Sequence, residues 1–478
     1  MRYAVSLLML AVSTPALAAD PASDAELRAT IARQQAQIDA LTARLNALEA
    51  KEPAVATAAP QPTKPKEEVV LTRFRGSPEF STESGWRFKV RGRINYDTSY
   101  VDNPDDALTA RDLGLKTRFR RARIGVEGDM PGGFGYKAEF DFADASVRAA
   151  DVVLNYRASK QAPFELAIGH FEPLNGFEQI SSSRYISTLE RGGYNEAFGN
   201  SRRLGAALTY IAPEFRVSAG VFNDTVNADK QNDEVVLAAR AFWAPKWGET
   251  QLHLGSSIAY RTYQSNQLGF TYRARPFTNG TDTRFVDTGT LALRSDLIVG
   301  GEFIAIRGPF HFIAEAQRLS ANTIRSGETL APGDVAQGRR TSFDPAFFGG
   351  YAEVGYFFTG ETRGYQNGLW ARTRPLNPLG DGGIGAVSLN LRYDHLDLSD
   401  RARAATTAAG IVDGGRQDGY LAALVWQPTD YVRFTFQYAH GVVTGGPLQP
   451  VVNPLSAKPV GDRSFQFDMG ALRAAWDF

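Results

Sequence analysis

The stretch Trp86–Asp97, WRFKVRGRINYD, decides how the rest of the chain is read. Trp86, Phe88, Val90, Gly92, Ile94 and Tyr96 alternate with Arg87, Lys89, Arg91, Arg93, Asn95 and Asp97. Period two is the mark of a β-strand, whose successive side chains point to opposite faces. The same texture continues to the end of the chain, broken by turn residues. Val387, Leu389, Leu391 and Tyr393 alternate with polar residues, as do Val432, Phe434, Phe436 and Tyr438, and Phe348, Gly350, Ala352, Val354, Tyr356 and Phe358 form a similar row.

Such strands have two homes. A soluble sandwich turns the apolar face to its own core, whereas a transmembrane barrel turns it to lipid and the polar face to a water-filled lumen. Three features select the barrel. The strands are long for a sandwich but right for a tilted bilayer crossing. Short connections such as Ala212–Phe215 and Gln427–Asp430 alternate with the long polar ones Glu172–Arg203, Arg261–Phe285, Ala321–Pro345, Ser399–Asp418 and Gly441–Arg463, as barrel rims require. The chain also closes on LRAAWDF, with Leu472, Ala474, Trp476 and Phe478 on one face, an ending that resembles those of outer-membrane proteins.

Sixteen strands are expected, beginning near residues 86, 115, 135, 149, 164, 203, 214, 234, 250, 295, 310, 347, 384, 418, 431 and 464. An even count suits a closed antiparallel barrel, and this size leaves an aqueous channel. Residues Glu361–Gly383 fall on the short-turn side, yet are too many for a tight turn.

The region before the barrel has three parts. Arg2, the apolar run Val5–Val12 and the small-residue pattern Ala16-Leu17-Ala18 predict a signal peptide over residues 1–19; the run is too short for a membrane anchor. Leu27, Ile31, Gln34, Ile38, Leu41, Leu45 and Leu48 step by alternating fours and threes, the seam of a short periplasmic coiled coil over residues 24–51. The alternative is a lone amphipathic helix packed on the body. A Pro/Ala-rich linker and lead-in, residues 52–85, joins it to the barrel at 86–478.

Composition removes several functions. The 52 basic and 52 acidic residues balance, so no global basic signature for nucleic acid exists. No cysteine is present, which excludes disulfides, thiolate metal sites and cysteine nucleophiles. His170, His253, His311, His395 and His440 fall on separate strands without metal-ligand spacing. Neither an enzymatic motif nor a phosphate-cradling glycine loop is found, and no cofactor is expected.

The arginines remain. If Val90 and Ile94 meet lipid, Arg91 and Arg93 point into the lumen, where guanidiniums offer forked donors to oxyanions. Alternatively they pair with lumen carboxylates such as Asp97, Glu127, Glu139 and Asp141 and form a balanced wall. In KTRFRRARIGVEG, Lys116–Gly128, the parity conflicts. Ala122, Ile124 and Val126 look lipid-facing, so Arg121 and Arg123 point inward and Arg118 and Arg120 outward, at a cost near mid-membrane. Either the latter two lie near the rim, or a bulge lets Arg120 and Arg121 both reach the pore.

The stretches Phe119–Ala143 (FRRARIGVEGDMPGGFGYKAEFDFA), Ala167–Leu208 and Gly355–Leu398 (beginning GYFFTGETRGYQNGLWARTRP) resemble the phosphate-selective porins of the O and P type. The resemblance implies a homotrimer of sixteen-stranded outer-membrane barrels whose third outer loop narrows the lumen. It implies passage of small anions, phosphate or polyphosphate, along an arginine ladder. Carried over, the constricting loop is residues 172–203, and the pathway comprises Arg91, Arg93, Arg120, Arg121, Arg123, Arg184, Arg191, Arg202 and Arg203. Glu190 and Glu196 sit close to the last three. Few lysines occur, and the third loop is nearly charge-balanced, which leaves room for a broader anion pore. Rival readings are a plugged, adhesive surface barrel and an outer-membrane enzyme.

Overall fold

The computed structural model describes residues 21–49, 70–102, 113–199, 201–227, 234–264, 266–401, 412–446 and 464–478. The expected signal peptide lies outside them, as does most of the linker. Two compact units divide the chain near Glu67 and Glu68. In the first, Pro21–Glu49 forms one helix, α1, and Ile31, Ile38 and Leu41 on its seam are 57%, 55% and 66% exposed. Among the described residues, no helix is long and apolar enough to cross a membrane.

The second unit is a closed barrel of sixteen antiparallel strands. They are β1 Arg87–Val101, β2 Gly114–Met130, β3 Phe134–Asp141, β4 Arg148–Tyr156, β5 Phe164–Phe171, β6 Arg203–Ile211, β7 Phe215–Phe222 and β8 Val236–Trp243. There follow β9 Thr250–Thr262, β10 Leu293–Arg307, β11 Phe310–Thr323, β12 Ala346–Phe357, β13 Ala386–Asp400, β14 Val412–Gln427, β15 Val432–Thr444 and β16 Ser464–Asp477. Closure is made by β16 on β1, from Met469↔Val101 to Asp477↔Arg93. The terminal Phe478 extends it, exchanging backbone hydrogen bonds of 3.0 and 3.1 Å with Gly92. Gly92 is needed there, because a Cβ would stand 2.4 Å from the Phe478 ring.

Outward residues are the apolar members of each alternating pair: Ile94, Ile124, Val354, Leu391 and Phe436 are 39–52% exposed. Aromatics gather at the short-turn rim, where Phe134 meets Tyr156, Phe164 meets Tyr210, and Phe310 meets Tyr356 at ring distances of 4.8, 5.5 and 4.5 Å. Such a girdle marks a membrane interface.

One expectation needs correction, and two regions carry structure that the sequence left open. Within the lead-in, Val70–Phe74 and Pro78–Thr82 form a hairpin that adds to β1 through Glu79↔Lys89 and Ser81↔Arg87. Strand β14 begins at Val412 rather than near 418, which shortens the loop expected over Ser399–Asp418. Its first turn carries Gly415 at φ +85° and a register shift against β13, so glycines hid the alternation. The long connection over residues 358–385 folds up into the lumen. Its small hairpin, Tyr365–Gln366 with Leu369–Trp370, buries Trp370 against Phe177 and His311 at 5.1 and 5.8 Å. The hydrophobic core therefore lies inside the barrel, built from inserted segments packed on one wall.

Candidate anion pathway

Strand β2 resolves its own parity conflict. Asn95 pairs with Arg121 and Tyr96 with Phe119, so Arg120 is an extra residue opposite one step of β1. A β-bulge of this kind resets which face successive side chains take. Before it, Leu115 and Phe119 face outward, 68% and 54% exposed; after it, Ile124 does, at 52%. Arg118, Arg120, Arg121 and Arg123 thus all turn inward. Arg118 donates to the backbone oxygen of Asn279 at 2.8 Å and to Asp144 at 3.2 Å.

Between β5 and β6, residues 172–199 pack inside the barrel, with two short helices, α2 Phe177–Ile180 and α3 Gly193–Ala197. Barrel carboxylates hold both helix starts. Glu315 of β11 accepts from the amides of Phe177 and Glu178, both at 2.9 Å, and Asp394 of β13 accepts from Gly193 at 3.1 Å. Arg392 clamps Glu178 and Glu353 at 2.7 and 2.8 Å. Tyr194 stacks on Tyr351 at 6.4 Å, and Arg473 donates to the Leu189 oxygen at 2.5 Å. The loop is therefore fixed to the β9–β16 wall, and water is left on its other side, against β1–β5.

That water space has two chambers. One, of about 600 Å³, opens toward the long-loop rim. The other, of about 460 Å³, opens toward the short-turn rim. Arg120, Arg123, Glu172, Arg191 and Arg202 line both, so they form the neck. The first chamber is nearly balanced, with six basic and five acidic side chains. The second has eight basic against three acidic lining side chains, while Arg91, Arg120 and Arg123 also pair with Glu127, Glu190 and Asp141 just outside it.

Many of these arginines do have carboxylate partners. Arg120 binds Glu190 at 2.7 and 3.0 Å, and Arg123 binds Asp141 at 2.6 Å. Arg202 spans Asp151 at 2.7 Å and Glu172 at 2.8 Å, while Arg91 pairs with Glu127. Others are spent less fully. Arg93 donates to Ser183 at 2.9 Å, with Glu139 only at 3.9 Å. Arg191 donates to the backbone oxygens of Glu178 and Ser181 at 2.8 and 2.9 Å. Arg121 is 3% exposed, and its Nε and Nη1 have no hydrogen-bond partner among the described residues. Burial alone would raise the Glu190 carboxyl, but Arg120, Arg121 and Arg473 hold it below the usual carboxylate range. Burial works against the charge of Arg202 too, yet Glu172 and Asp151 raise its pKa. The neck therefore keeps fixed charge.

Of the nine arginines singled out from the sequence, Arg91, Arg93, Arg120, Arg121, Arg123, Arg191 and Arg202 line this space. Arg184 and Arg203 do not. Arg184 lies beneath the loop, 3.3 Å from Asp477, and Arg203 binds Glu234 at 2.8 Å near the long-loop rim. Both entered the candidate set through the family resemblance, which places them in the loop without fixing their side chains. Lys137, Asp151 and Glu172 were missed as lining groups, although the alternation of Lys137 and Glu139 with Tyr136, Ala138 and Phe140 signals an inward face.

Comparisons with known proteins bear on this arrangement. The profile of the family "Phosphate-selective porin O and P" matches residues 88–445. A Caulobacter vibrioides protein of uncharacterised activity is 35% identical, over 97% of this chain and 93% of its own. Porin O of Pseudomonas aeruginosa is 25% identical over 78% of this chain and 86% of its own. Among solved structures, the outer membrane channel DcaP of Acinetobacter baumannii aligns over 84% of this chain and 99% of its own, with a TM-score of 0.48 and 12% identity. With the family profile spanning nearly the whole barrel, the chain belongs to the phosphate-selective porin O and P family of outer-membrane porins.

Proposed function

We propose that this porin lets small anions, phosphate or polyphosphate among them, diffuse passively across the outer membrane, with no reaction and no cofactor. One observation carries the reading: the chamber below the neck has eight basic and three acidic lining side chains. An anion leaving the balanced chamber meets Arg120, Arg123, Arg191 and Arg202 at the neck, then Arg121, Arg93 and Arg91. Guanidinium N–H groups replace part of its hydration shell. Glu139, Glu172 and Glu190 keep the wells shallow enough for release. Ser182, which lines the same chamber, adds a hydroxyl donor. The test is chloride conductance of the purified protein in planar bilayers. Added phosphate should reduce the chloride current by competing for the neck. A current insensitive to phosphate leaves a general anion pore, and a cation-preferring or silent protein overturns the reading.

The same proposal includes a homotrimer. Strands β3–β8 have only 8 or 9 residues each, against 12–16 for β9–β16. The outer face of this short wall carries small residues, Ala206, Ala219, Ala239 and Ala241, beside Ile168, Leu208, Val221 and Leu237, which are 49–52% exposed. A wall too short to match lipid, with small side chains, suits close approach of a second barrel. Ala239→Trp should dissociate the trimer on a semi-native gel, and Val354→Trp on the long wall should not. The exposed heptad seam of α1 supports a periplasmic coiled coil that adds to trimer stability. Deleting residues 25–51 should then lower the temperature at which the trimer band disappears; an unchanged band removes that role.

A further inference from the structure

A second group of arginines lies on the far side of the third loop, outside the conducting chambers. The loop's tip presents three consecutive backbone oxygens to it. Arg433 of β15 donates to the oxygens of Arg184 and Ile186 at 2.8 and 2.6 Å. Arg363, from the inserted 358–385 connection, donates to the oxygen of Tyr185. Arg184 itself points back under the tip, 3.3 Å from Asp477.

These guanidiniums surround a small space of about 20 Å³, lined also by Thr373, Ser388 and Gln427. The Nε groups of Arg184, Arg363 and Arg433 are all buried without a hydrogen-bond partner. Arg363 is 6% exposed, and neither it nor Arg433 has an ion-pair partner among the described residues. The nearby carboxylates are already engaged: Glu353 by Arg392 at 2.8 Å, and Asp477 by Arg372 at 2.8 Å. Thr373 Oγ1 accepts from Gly364 at 2.9 Å and Ser388 Oγ from Asn390 at 3.3 Å, so each hydroxyl has its own hydrogen to donate.

Two buried positive charges without counter-charge are costly. A neutral water would satisfy a donor but leave the charge. The volume holds about one water-sized body, too little for a tetrahedral oxyanion. We propose that this space is a structural halide site, occupied by a single chloride ion that joins the third-loop tip, the inserted connection and β15. The site is separate from the conducting path, and its occupancy stands or falls independently of phosphate permeation.

The experiment is a crystal of the native protein soaked in sodium bromide, with data collected at the bromine absorption edge. The expected result is an anomalous peak between Arg363 and Arg433. Thermal unfolding in detergent supplies the second readout: chloride should raise the midpoint over gluconate at equal ionic strength, and Arg433→Gln should abolish that difference. No anomalous peak at this position, or a chloride effect that survives in Arg433→Gln, overturns the proposal. Bromide found only on exposed arginines counts as an adventitious ion only and does the same.

Discussion

The two faces of the third loop differ in how particular arginines are partnered. On the anchored face, Arg392 is held by Glu178 and Glu353 and stacks 4.0 Å over Tyr351. Arg261, fully buried, is matched by both oxygens of Asp296 at 2.7 and 2.5 Å. Their charge is consumed in holding the loop. On the channel face, Arg121 retains donors with no partner, and Arg191 bonds only to backbone oxygens. Arginine alone does not make an anion path. The proposed path needs channel-side arginines that are not spent on a carboxylate, and the loop's position decides which arginines those are.

The largest effect should come from breaking the anchored face. Arg392→Met leaves Glu178 and Glu353 buried without a cation, a loss of about 3–5 kcal/mol. It should appear as a clear drop in the temperature at which the folded band converts on a semi-native gel; unchanged thermal stability would show that the clamp is not structural. Next comes the bulge. Deleting Arg120 joins outward Phe119 to inward Arg121 in regular pairing, so residues 114–119 keep their faces and Arg118 stays in the lumen; what is lost is the bidentate partner of Glu190, about 1–3 kcal/mol. Urea-refolding yields into lipid should stay near wild type while the conversion temperature on a semi-native gel falls, and a collapse of refolding would argue against the bulge. On the channel face, Arg121→Ala should leave folding intact but reduce anion-over-cation permeability about fivefold, the equivalent of ~1 kcal/mol. An unchanged ratio would place selectivity elsewhere.

The smallest effect concerns pH. Glu190 has a depressed pKa in the folded loop, because Arg120, Arg121 and Arg473 outweigh its burial. Its contribution to stability is therefore present above the unfolded value of about 4.3 and lost only as pH falls through the lower folded value. Between neutrality and pH values near 5, the neck charge should not change through this group. Anion permeability should then vary less than about twofold over that range, and a large rise on mild acidification would contradict the pairing.

Period-two alternation made the barrel legible, because lipid outside and water inside impose opposite chemistries on neighbouring residues. Fifteen of the sixteen expected strand starts fall within about two residues of the observed ones, and the exception, β14, opens on glycines that carry no face. The site was less legible. Arg120 and Arg121 were recognisable as a conflict, and only the pairing of Asn95 with Arg121 shows how the strand resolves it. Arg184 illustrates the other limit. Its place in the sequence is next to Ser183, which reaches Arg93, yet its guanidinium goes to Asp477 and the Gly92 oxygen and does not line the chamber. Loop side chains obey no periodicity, so their direction follows from packing. The partners that neutralise an arginine, such as Asp97 against Arg473 across the barrel seam, are equally remote in sequence.

The most direct test of the central claim is the reversal potential of the wild-type channel in an asymmetric potassium chloride gradient, measured beside Arg121→Ala. The uncompensated channel-face arginines should set the wild-type potential toward the chloride equilibrium value, with the variant shifted toward zero. A wild-type potential at zero or toward potassium, or a variant indistinguishable from wild type, would contradict it.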